Sequence, residues 1–129
     1  MSKYLAKILG NDQESLRMIA ALSSGAKVKV SDIKYLASNK VFLLSIERMS
    51  KEKKQDDKNI NSVLRFDFIT KSKSKNIDQS KQEMIIELLS IDYLKNNEDY
   101  EITLIFNNNA QIVLSSDTLE CRLEDQSNI

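Results

Sequence analysis

The most regular alternation of apolar and polar residues lies near the C-terminus of the chain. Apolar side chains occupy every second position on both sides of three asparagines, at Tyr100, Ile102, Leu104 and Phe106 and again at Ala110, Ile112 and Leu114. Successive side chains of a β-strand point to opposite faces, so this period of two predicts two half-buried strands. The asparagines at 107–109 suit a tight turn because asparagine tolerates positive φ. The pattern therefore predicts a β-hairpin.

Similar but shorter alternation predicts strands earlier in the chain. Residues 27–49 read as several strands with turns at 31–32 and 38–39, and the last of these strands has its apolar side chains at Phe42, Leu44 and Ile46. Residues 63–70 form one predicted strand with Leu64, Phe66 and Phe68 on one face and Arg65 and Asp67 on the other. A final strand is expected where Leu119, Cys121 and Leu123 alternate with Glu120, Arg122 and Glu124.

Residues 84–94 are apolar at both odd and even positions. A strand buried on both faces, or a strand with a bulge that switches faces, explains this pattern. A helix is the alternative, because periodicity alone does not separate the two in a short apolar run. The isoleucine and tyrosine content favours the strand.

The N-terminal part of the chain predicts one helix. Asn11 or Asp12 is placed to cap it, and Glu14 follows Asn11 at the spacing of a capping box. The apolar face is formed by Leu16, Ile19 and Ala20, and Gly25 suits the left-handed conformation that ends many helices. The preceding apolar patch, Tyr4, Leu5, Ile8 and Leu9, fits either an edge strand or the lead into this helix.

These elements predict an α+β fold that is predominantly antiparallel β. We expect six to eight strands in a curved sheet, sandwich or barrel, with one N-terminal helix packed on or beside it. The length of 129 residues predicts a single domain over 1–129. Residues 50–61 are almost all charged or polar and lack periodicity, so they are expected to form an exposed loop.

Charge is distributed unevenly although the net charge is zero. Basic residues outnumber acidic ones by eight to four in residues 1–50 and by nine to five in 51–82, whereas residues 83–129 carry two basic and ten acidic residues. Such segregation either steers a partner or lets neighbouring strands of opposite sign pair within the sheet. The single cysteine, the lack of a signal-peptide pattern and the lack of a long apolar run predict a cytoplasmic protein with no membrane partner.

Composition excludes several kinds of chemistry. The chain has no histidine, which excludes Ser/His/Asp and Cys/His catalytic systems and zinc sites that use histidine. Two isolated glycines cannot form a glycine-rich phosphate loop, so no nucleotide cofactor is expected. No metal is expected either, because histidine is absent and the acidic pairs supply too few ligands for a calcium loop. The acidic pairs Asp56 with Asp57 and Glu98 with Asp99 are interpreted as solvated turn residues, and Cys121 as a small buried apolar residue.

Three lysines are the first interaction candidates. Lys71, Lys73 and Lys75 project to the same side of an extended chain, where they either contact phosphates or an acidic protein or protect a strand edge from aggregation. No aromatic residue is interleaved with them, which argues against binding of single-stranded nucleic acid. The outer positions of the last predicted strand, Glu120, Arg122 and Glu124, form the second candidate surface.

Five segments resemble a small alphaproteobacterial family described only as a domain of unknown function. They are KVKVSDIKYL (27–36), RFDF (65–68), SKNID (74–78), ELLSIDY (87–93) and the acidic ending DTLECRLED (117–125). In that family a cysteine commonly takes the place of Thr118 and a small residue that of Cys121. The family's tryptophan is absent from residues 49–52, and its acidic residue before KVKV is replaced within residues 24–26. The resemblance implies a single compact bacterial domain and no particular activity.

The pattern and the missing chemistry together favour a non-enzymatic binding module. Its partner would be another protein, or a second copy of the chain joined through an exposed strand edge. The alternative is a binder of a small anionic ligand or nucleic acid through Lys71, Lys73 and Lys75. An enzyme that uses only carboxylates, lysine or tyrosine is the least favoured hypothesis.

Overall fold

A computed structural model describes residues 6–49 and 59–126 of the protein. It contains one helix and ten strands, with short 3₁₀ turns at Val30–Asp32 and Ala37–Asn39. In chain order the elements are β1 (Lys7–Gly10), α1 (Gln13–Ser23), β2 (Ala26–Lys29), β3 (Ile33–Leu36), β4 (Val41–Met49), β5 (Asn59–Phe66), β6 (Ile69–Lys75), β7 (Ile85–Asn96), β8 (Asp99–Phe106), β9 (Gln111–Ser116) and β10 (Cys121–Asp125).

All ten strands join one antiparallel sheet. Its order is β1-β10-β5-β4-β2-β7-β8-β9-β6, and β3 pairs with β4 off this path. The predicted class, mostly antiparallel β with a single helix, is confirmed. The predicted number of six to eight strands is wrong, and the strands form an open sheet rather than a sandwich or a barrel.

The predicted number of strands is too low partly because the chain turns a corner between β5 and β6. Residues 63–70 were expected to form one strand, but β5 ends at Phe66 and pairs with β4 and β10, whereas β6 starts at Ile69 and pairs with β9. Phe68 adopts φ 63° at the corner and is 44% exposed instead of lying in the core. A left-handed conformation costs a residue with a Cβ roughly 1–2 kcal/mol, so tertiary pairing on both sides must impose it.

The helix α1 forms where the apolar periodicity predicts it, and its cap is one of the two predicted residues. Asp12 is the N-cap and accepts a hydrogen bond from the Ser15 backbone N–H at 2.8 Å, so Ser15 replaces the expected Glu14 in the capping box. Leu16 and Ile19 are buried against the sheet. Gly25 follows the helix with φ 85°, as predicted for a helix end.

β7 resolves the run that is apolar at both odd and even positions. The register with β8 shifts between Leu88 and Ser90, so burial moves from Ile86 and Leu88 to Ile91 across the bulge. The predicted strand and its face switch are confirmed, and the helical alternative is wrong.

The hairpin β8–β9 also forms as predicted. Asn108 and Asn109 adopt φ 58° and 59° in the turn, where asparagine tolerates the left-handed region. Its inward side chains belong to a single buried cluster that extends from α1 through the strands of the sheet. The expected loop at 50–61 lies partly outside the described residues, and the structure places 59–61 in β5.

Candidate functional site

Two unpaired strand edges bound a cleft in the described part of the protein. β3 pairs only with β4, and β6 pairs only with β9. The backbone N–H of Ile69, at the start of β6, donates to the carbonyl of Lys40 at 2.8 Å, and the Tyr35 hydroxyl on β3 donates to the carbonyl of Ile69 at 3.1 Å. The two edges therefore meet at Ile69 and face each other across the cleft beyond it.

The cleft has a volume of about 330 Å³ and reaches the core. Its floor is formed by Phe42 on β4 and Ile112 on β9, each only 2% exposed. Ile33 and Tyr35 line the β3 side, and the opposite wall is the edge of β6. An apolar floor beneath two strand edges can bury an apolar side chain while the edges supply backbone hydrogen bonds.

The polar groups of the cleft are all uncharged. Ser72 and Ser74 project from β6, Ser31 from the 3₁₀ turn before β3, and Gln79 and Gln82 from the segment that follows β6. That segment closes the end away from Ile69, where the Ser31 backbone N–H donates to the Gln82 carbonyl at 3.0 Å. A cleft lined in this way favours a neutral ligand that can form hydrogen bonds over an anionic one.

The candidate lysines lie beside the cleft and point away from it. Ser72 and Ser74 on β6 lie opposite the buried Leu114 and Ile112 of β9, so the side chains of Lys71, Lys73 and Lys75 project from the outer face. All three are exposed, and none makes an ion pair with a described residue. The three lysines therefore project from the same face of β6, as their spacing predicts, and β6 has an unpaired edge among the described strands.

The second candidate surface lies elsewhere in the sheet. β10 runs between β1 and β5 and does not pair with β6. The Arg122 Nη2 lies 3.5 Å from the Oε2 of Glu120, the residue just before β10, and Glu124 lies opposite Lys7 of β1. No ion pair or hydrogen bond among the described residues joins Glu120, Arg122 or Glu124 to the three lysines, and β6 does not pair with the acidic last strand.

A buried ion pair ties the last strand to β4 and β5. Arg48 and Asp125 are 1% and 4% exposed, and the Arg48 Nη2 lies 2.7 Å from the Asp125 Oδ2. The Ser62 hydroxyl donates to the Asp125 Oδ1 at 2.6 Å, and the Ala6 backbone N–H donates to the Oδ2 at 2.7 Å. These partners satisfy the carboxylate where water is excluded, which makes the cluster structural.

The alternation along β4 and β10 contains a sign of this ion pair that no sequence motif shows. Arg48 continues the inward parity of Phe42, Leu44 and Ile46, and Asp125 continues that of Cys121 and Leu123. A basic and an acidic residue, each at the core position of a predicted strand, indicate a buried pair because a lone buried charge is too costly.

Burial of Asp125 by itself would raise its pKa, but the hydrogen bonds from Arg48, Ser62 and Ala6, together with the Arg48 charge, outweigh burial and lower the pKa. Because the folded pKa is below the unfolded value of about 3.9, this stabilisation is present above that value and is lost as pH falls through the folded pKa. We expect the free energy of unfolding to fall less between pH 6 and pH 2 in Asp125→Asn than in the wild type. Equal pH dependence in denaturant titrations would contradict the assignment.

The structure gives no reactive-thiol or metal site to the cysteine or to the described carboxylates. Burial, assisted by the Asp67 charge, raises the pKa of Cys121, whose thiol is fully buried. Asp56 and Asp57 lie outside the described residues. No group of three or more Cys, Asp or Glu side chains within 6–49 and 59–126 is arranged to hold a metal ion. The helix in this part of the chain is not long and apolar enough to cross a membrane.

Comparison with known families matches nearly the whole chain. Residues 6–129 match the model of a family described as "Protein of unknown function (DUF2948)". The chain belongs to this family. The resemblance to a domain of unknown function is thereby confirmed. No curated protein and no solved structure matches.

Proposed function

We propose that this member of the family is a protein-binding module that accepts an extended segment of a partner between β3 and β6. The observation that carries the proposal is the cleft itself, because two unpaired strand edges face each other above a buried apolar floor. A strand placed there would receive backbone hydrogen bonds from both sides, which is the basis of peptide recognition by strand addition. The uncharged lining accommodates its inward side chains.

The occupant is expected to come from another molecule. The described residues next to the undescribed segment 50–58, Met49 and Asn59, lie opposite each other at the end of β4 and β5 that is away from Phe42 and the cleft. Gln126, the last described residue, lies at the same end, where its backbone N–H donates to the carbonyl of Asn61. A second copy joined β6 to β6 would set lysines opposite lysines, and like charges directly across strands are destabilising.

The test uses acetyl-Val-Thr-Val-Thr-amide titrated into the ¹⁵N-labelled protein, followed by NMR chemical shifts. We expect saturable shifts along β3 and β6, and loss of binding in Ser74→Tyr, which fills the cleft. Ser115→Tyr places the same side chain one strand away on the opposite face and should bind normally. A tetrapeptide with N-methylated backbone removes the donors but keeps the side chains. Equal binding of this peptide, or no binding of the unmodified one, overturns the proposal.

A second candidate function follows from the outer face of β6. Lys71, Lys73 and Lys75 could bind a small anion or nucleic acid there, because they are exposed and unpaired among the described residues. Successive lysines stand roughly 7 Å apart along the strand, so a phosphate chain suits them better than one phosphate. Polyphosphate binding that persists in Ser74→Tyr and disappears in the triple lysine-to-glutamine variant would support this function instead.

A further inference from the structure

The outer rim of the cleft is basic on both sides. Lys71, Lys73 and Lys75 project outward along β6. On β3 the inward residues Ile33 and Tyr35 line the cleft, so Lys34 between them projects outward and is exposed. Four lysines therefore flank the position of an inserted strand on its solvent side.

These lysines are not neutralised by their neighbours in the described part of the chain. Lys34 lies opposite Leu43 of β4, while Lys71 and Lys73 lie opposite Ser115 and Val113 of β9. No ion pair with a described residue involves any of the four.

Three acidic residues of neighbouring segments contact other groups or line another depression, and do not pair with these lysines. Asp117 lies 3.6 Å from Lys40, and Asp78 accepts hydrogen bonds from the backbone and hydroxyl of Ser80. Asp32 lies beside Lys29 and Ser45 in a separate depression. The positive charge along the outer rim therefore remains open to a partner.

Resting on the proposed function, we infer that the preferred partner segment alternates uncharged, mainly apolar residues with aspartate or glutamate. A strand between β3 and β6 directs alternate side chains into the cleft and out to the rim. Inward side chains meet Phe42, Ile112 and uncharged polar groups, where a charge would be buried without a partner. Outward side chains stand beside lysines on both neighbouring strands, where opposite charges are favourable.

Three neutral-capped tetrapeptides test this charge pattern by the same NMR titration. At low salt, acetyl-Val-Glu-Val-Glu-amide should bind about tenfold more tightly than the threonine peptide, and acetyl-Val-Lys-Val-Lys-amide should bind more weakly than both. The preference should shrink at about 0.5 M salt because exposed charge pairs are screened. Binding of all three with equal affinity overturns the charge inference while leaving the strand-insertion proposal intact.

A charge-matched pair of variants localises the effect. Lys34→Gln combined with Lys71→Gln, Lys73→Gln and Lys75→Gln should remove the roughly tenfold preference and leave the affinity for the threonine peptide unchanged within about twofold. The control carries the same loss of charge at Lys7, Lys27, Lys29 and Lys95, which lie on other strands. A control variant that loses the preference equally would show an effect of net charge and would refute a basic rim at this cleft.

Discussion

Asp125→Ala should destabilise the protein by about 3–5 kcal/mol. The substitution leaves the Arg48 guanidinium buried at the end of the core without the carboxylate that it contacts at 2.7 Å, and breaking one partner of a buried ion pair is costly. It also removes the acceptor of the Ser62 hydroxyl and the Ala6 backbone N–H. Chemical denaturation at pH 7 measures the loss as a shift of the unfolding midpoint.

The neighbouring residue provides the matched control. Glu124 is exposed on the same strand, and Glu124→Ala should change the free energy of unfolding by less than about 0.5 kcal/mol. The double variant Arg48→Met with Asp125→Leu should recover most of the stability, because apolar residues can replace a buried pair without an unpaired charge. Similar small losses in Asp125→Ala and Glu124→Ala would refute a buried ion pair.

Phe42→Ala should also cost about 3–5 kcal/mol, because Phe42 is 2% exposed and its ring packs against Phe66 with centroids 6.4 Å apart. The side chain forms the floor of the cleft, so its removal also deepens the cleft into the core. Phe68→Ala is the control at an exposed phenylalanine and should cost no more than about 1 kcal/mol. A loss at Phe68 as large as that at Phe42 would instead place Phe68 in the core, as the alternation at 63–70 predicts.

The sequence predicts the elements better than their arrangement. Alternation with an asparagine turn is enough for the β8–β9 hairpin, because both pairing strands and the turn are adjacent in the chain. It fails at the corner of Phe68, since alternation continues while the pairing partner changes from β4 and β10 to β9. Local patterning carries no information about that change.

The candidate site shows the same division. The common face of Lys71, Lys73 and Lys75 follows from their spacing alone. The cleft does not, because it depends on the approach of β3 to β6, strands that are distant in sequence and do not pair with each other. The outward positions of Glu120, Arg122 and Glu124 follow from the alternation at 119–124, but only the strand order shows that β10 does not pair with β6, which carries the lysines.

Amide hydrogen exchange of the peptide complex tests the central claim most directly. In the presence of saturating acetyl-Val-Glu-Val-Glu-amide, we predict slowed exchange at alternate amides of both β3 and β6, because the free edges gain hydrogen-bond partners. β1 lies at the other end of the strand order and pairs only with β10 among the described residues, so its amides serve as the internal reference and should be unaffected. Unchanged exchange on β3 and β6 at saturation, or slowing confined to β1, would contradict insertion of a strand into the cleft.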